Sequence, residues 1–94
     1  MVNAPKYTRG EKIAAVKKGF ANLRGSTADT HFSLTIVAQW AIRALNGGGL
    51  SYSRMARFIH EDMTPQEHRF AGFHLENVRE GKRGVSVVKL PPSE

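Results

Sequence analysis

The sequence predicts a mainly α fold: a four-helix-rich single domain with a short β segment near its C-terminus. Three observations carry that expectation. Helix-start signals recur along the chain, apolar residues follow them at helical spacing, and only the stretch ahead of Pro91-Pro92 alternates as a strand does. The 94 residues, 40% of them apolar, suit one compact core with little margin for a second. Residues 1–94 are therefore read as one domain. It comprises a lead-in (1–7), two helices (8–46), a helix pair (47–79), and a β segment with its tail (80–94).

Thr8 and Glu11 have the spacing of a capping box, in which two orphan amides are satisfied reciprocally. They open a helix expected to end near Arg24, with Gly25 as its stop. Ile13, Val16, Phe20 and Leu23 form its apolar stripe, and Lys12, Lys17, Lys18 and Arg24 fall largely outside it. After the polar run 26–30 comes the most apolar element, expected as a helix over 30–46. Val37, Trp40, Ala41, Ala44 and Leu45 recur there at helical spacing, so this helix should be the most buried, with Trp40 as a core anchor. Its β-branched residues leave a strand alternative at 34–37. Asn46 and three glycines then end it.

In the helix pair, Ser51 is placed to cap the first member, and Leu50 and Met55 can form a hydrophobic staple. Tyr52, Met55, Ala56 and Ile59 make its stripe. After His60-Glu61-Asp62-Met63, Thr64 and Glu67 repeat the capping box with Pro65 at N1, where a missing N–H costs nothing. The spacing predicts a second helix over 64–79, buried through Ala71, Leu75 and Val78. Residues 80–84 read as a turn and GVSVVKL as a single strand without a visible partner. A second copy of the chain would also satisfy that edge.

The run LSYSRMARFI, the capped second helix and the basic turn at Lys82-Arg83 before a β-rich tail resemble a winged helix-turn-helix domain over residues 31–90. That resemblance implies double-stranded DNA as the partner and the helix over 64–79 as its reader. Gln66 and Arg69 would reach base edges, since Gln suits adenine and Arg suits guanine in the major groove. Arg54 and Arg57 on the preceding helix, with Lys82 and Arg83 on the wing, would hold phosphates. The basic face of the first helix, Lys12, Lys17 and Lys18, would add to them, although solvation alone also explains such a face.

Phe73 is expected on the outer face of the second helix with Gln66, Arg69 and Glu76, and Phe58 lies outside the stripe of the first. Large rings facing outward mark protein contacts. Phe58 and Phe73, with Phe70, are thus candidates for a dimer or partner surface. They support a second class of function: a non-enzymatic interaction module that inhibits or adapts another protein or a nucleoprotein complex. Its basic first helix would then meet an acidic surface.

Composition narrows the choice further. The net charge is +6 and the pI near 10.2, with the excess at both ends and a slight acidic balance over 51–80. No cysteine is present, so no disulfide framework and no thiolate zinc site is expected, and a reduced cytoplasmic setting is the economical inference. No apolar run is long enough for a membrane span, and no secretory h-region is visible. The four histidines lack the i, i+4 pairing of a helical metal motif, and neither a nucleotide loop nor a catalytic arrangement can be assembled. We expect no enzyme, metal or cofactor.

Overall fold

The structure, a computed structural model, describes residues 7–45, 49–80 and 83–91. In chain order it has α1 (Arg9–Ser26), β1 (His31–Ser33), α2 (Leu34–Ala44), α3 (Tyr52–Arg57) prolonged by a π-helical turn (Phe58–Asp62), α4 (Pro65–Ala71), β2 (His74–Glu80) and β3 (Arg83–Lys89). The described chain is mainly helical. Its three strands form one antiparallel sheet in the order β1-β3-β2. No helix among the described residues is long and apolar enough to cross a membrane.

The start signals act as their chemistry dictates. Thr8 with Glu11 and Thr64 with Glu67 close complete capping boxes. The hydroxyls of Ser33 and Ser51 accept from Ile36 and Arg54 amides, each at 3.2 Å, and so open α2 and α3. Helix α1 runs through Gly25 to Ser26, whose hydroxyl donates to the Leu23 carbonyl at 2.8 Å.

Phe20, 1% exposed, is the hub of the core. Its ring meets Phe32 of β1 edge-on at 5.5 Å and Phe73 at 4.9 Å, tying α1 to the sheet and to the α4–β2 junction. Phe32, Val88 and Leu75 sit opposite one another across the three strands, forming the apolar row that covers this hub. Helices α1 and α2 cross in close contact at Gly19, where a Cβ would stand 2.5 Å from the Trp40 carbonyl carbon and oxygen. Trp40 itself is half-buried against the core, with the Arg43 guanidinium 5.1 Å above its ring.

Several expectations are corrected. The second helix of the pair does not extend over 64–79 but stops at Ala71. Gly72 adopts φ +104, and its amide and that of Phe73 return to the carbonyls of His68 and Arg69. Leu75 and Val78 therefore lie on a strand, and β2 is the partner that β3 lacked in the sequence. Phe73, expected outward on that helix, is fully buried, because the chain leaves the helix before reaching it. Phe58 is buried too, at 5% exposure, whereas Tyr52 of the expected stripe is 48% exposed. The buried arc of α3 is centred on Met55, Phe58 and Ile59, rotated away from Tyr52. The wide π turn then brings Met63 rather than residue 62 into the core. Finally, residues 31–33, expected within the helix of 30–46, form the short strand ahead of it.

Candidate nucleic-acid interface

Helix α4 spans only seven residues, about 10 Å of rise, yet it has two distinct faces. His68 and Ala71 point inward and are buried. Gln66, Arg69 and Phe70 are exposed and fall within roughly 100° of arc on the opposite side at 100° per residue. Gln66 and Arg69 thus stand where the sequence placed them. Phe70, 58% exposed, occupies the outer position that had been expected of Phe73.

Helix α1 lies along α4 and is fastened to it at two points. At one end, the Arg9 guanidinium grips both carboxylate oxygens of Glu67 and donates to the Asp62 carbonyl at 2.7 Å. Arg9 and then the Thr64 amide pull the Glu67 carboxyl down to about 2. At the other end, the Lys17 ammonium sits 4.5 Å above the Phe70 ring and 3.4 Å from the Phe70 carbonyl. Lys17 therefore joins Gln66, Arg69 and Phe70 in one surface. The sequence could not signal this meeting of residues 53 positions apart.

The other basic candidates are dispersed in role. Lys12 is half-buried, its ammonium 4.5 Å over the Phe58 ring. Arg57 lies 3.9 Å from Glu61, a loose exposed pair. Arg54, Lys18 and Arg69 are exposed and form no ion pair with another described residue. Lys82 and the side chain of Arg83 lie outside the described residues. The acidic group of α4, Glu67, is matched by Arg9, so the exposed surface of α4 itself retains the Arg69 guanidinium.

Behind Arg69 a cleft of about 280 Å³ separates α4 from the hairpin, lined by His60, Met63, His68, Arg69, His74 and Asn77 among others. His68 is committed: its Nε2 donates to the Ile59 carbonyl at 2.7 Å and its ring stacks on Phe73. His74 and Lys89 both bind the Glu76 carboxylate, at 3.1 and 2.7 Å, and Lys89 first, then His74, holds that carboxyl below its usual range. Among the described residues no three His, Asp or Glu side chains converge as metal ligands.

Comparison with protein-family models, with curated proteins and with solved structures finds no match to this chain.

Proposed function

We propose that this protein binds double-stranded DNA as a small winged helix-turn-helix-type domain and acts by occupancy, as a transcriptional regulator or an accessory factor of a mobile element. The observation that carries this reading is the outward face of α4. Gln66 and Arg69, whose side chains match adenine and guanine edges, are unobstructed there, while His68 and Ala71 hold the opposite face in the core. The order helix, strand, three helices, then an antiparallel hairpin is consistent with a wing beside a reading helix. Lys17 beside α4, with Arg54 and Lys18 exposed, supports phosphate contacts that set register.

An electrophoretic-shift series on random duplex DNA tests the reading. Arg69→Ala should relax sequence preference, and Lys17→Ala/Lys18→Ala should lower general affinity for duplexes and the salt dependence of binding. Absence of duplex binding at low salt overturns it. A protein-interaction module is the second reading, favoured by one observation: Phe70 leaves most of a large ring in water. Such a module would inhibit or adapt another protein through Phe70, since Phe58 and Phe73 are buried.

A further inference from the structure

We infer that Phe70 is a specificity residue that reads the C5-methyl group of thymine, an inference that rests on the DNA reading above. Three features of its setting point there. Phe70 is 58% exposed on the same arc of α4 as Gln66 and Arg69, so any base pair those two reach brings the ring to the adjacent position in the groove. The contact shown for the ring is cationic. Lys17 is over its face and Arg69 is beside it in the chain, while the other exposed large hydrophobics among the described residues, Ile36, Tyr52 and Val85, lie on α2, α3 and β3. A lone ring among hydrogen-bonding and cationic side chains suits a single apolar feature in a polar groove. In the major groove the thymine methyl is that feature, and apolar side chains contact it.

Lys17 borders the ring on one side. Its ammonium covers one face at 4.5 Å and its hydrogen bond to the Phe70 carbonyl holds that position at 3.4 Å, leaving the remaining edge and face for the ligand.

The test uses the full chain and a duplex selected from a random library. Each thymine is replaced in turn by uracil, which removes the methyl and leaves every hydrogen-bonding group. At one or two positions the substitution should weaken wild-type binding about fourfold, the factor expected for one buried methyl. Phe70→Ala should bind the thymine and uracil duplexes equally while keeping the preferences set by Gln66 and Arg69. Phe70→Leu, which keeps an apolar group, should retain part of the discrimination, and thermal melting of each variant verifies folding. Wild-type binding that ignores uracil at every position overturns the inference and leaves the DNA reading standing, as does a thymine preference that survives in Phe70→Ala. Failure of the wild type to bind any duplex removes both. Loss of self-association in Phe70→Ala without duplex binding would assign the ring to a protein contact.

Discussion

The guanidinium of Arg9, the first residue of α1, holds both carboxylate oxygens of Glu67, the third residue of α4, and also the Asp62 carbonyl between α3 and α4. One side chain thereby fastens the N-terminal helix to the junction that aims the candidate reading face. Glu67 also receives the Thr64 amide at 2.8 Å, so the helix cap and the interhelical clasp share one carboxylate. Its folded-state value near 2 lies below the ordinary 4.5, so the stabilisation is present above 4.5 and lost as pH falls toward 2. Glu67→Gln should lower Tm at neutral pH and flatten the acid limb of the Tm–pH curve across that window. An unchanged acid limb would show that the clasp does not couple to folding.

The α1–α2 crossing gives a paired prediction. Gly19→Ala would drive a Cβ to 2.5 Å from the Trp40 backbone, so the helices must separate, costing about 1–3 kcal/mol or more despite the better helix propensity of alanine. Gly25→Ala, with nothing within 4 Å, should instead stabilise by up to about 1 kcal/mol. Urea titration of both variants measures the contrast, and equal effects would refute the tight crossing.

Gly72 ends α4 in a left-handed conformation that costs a non-glycine residue about 1–2 kcal/mol. Phe20 would lie at an ordinary 3.5 Å from a new Cβ, so Gly72→Ala should lose that backbone amount and little more. Gly72→Asn should lose less, because asparagine tolerates this region. Chemical denaturation distinguishes the two.

His68 carries a capping role from α4 back to α3. Carbonyls in a last helical turn lack intrahelical donors, and the Nε2–H of His68 supplies one to Ile59. His68→Leu should cost about 1–3 kcal/mol, the range for leaving a buried acceptor unpaired. Amide exchange around residues 58–63 should accelerate in that variant. Unaltered protection there would show that the bond is dispensable.

Arg54 and Arg57 project from α3 rather than α4, so they test whether the proposed phosphate contacts extend beyond the candidate reading face. If both touch phosphates, Arg54→Gln/Arg57→Gln should reduce the slope of log K against log salt by about 2, near 0.9 per contact. An unchanged slope would confine the footprint to α1 and α4.

Local chemistry by itself determined where helices begin. Thr8, Ser51 and Thr64 each offer a side-chain oxygen to amides within one turn, an interaction that needs no distant partner. It likewise placed Gln66 and Arg69 on a common outward face, since their three-residue spacing is preserved within one short helix. Gly72 ends α4 locally, and tertiary structure decided that the chain continues as a strand. Ala71, Leu75 and Val78 satisfy a helical period, but as a strand residues 74–80 give β3 its second neighbour and set Leu75 opposite Val88 in the apolar row of the sheet. That choice buried Phe73 and left Phe70 as the exposed ring. Phe58 turned inward because the core took the arc about Met55, and the Lys12 ammonium of α1, far away in the chain, closes over its ring. The surface that Lys17 shares with Phe70 exists only because α1 packs along α4.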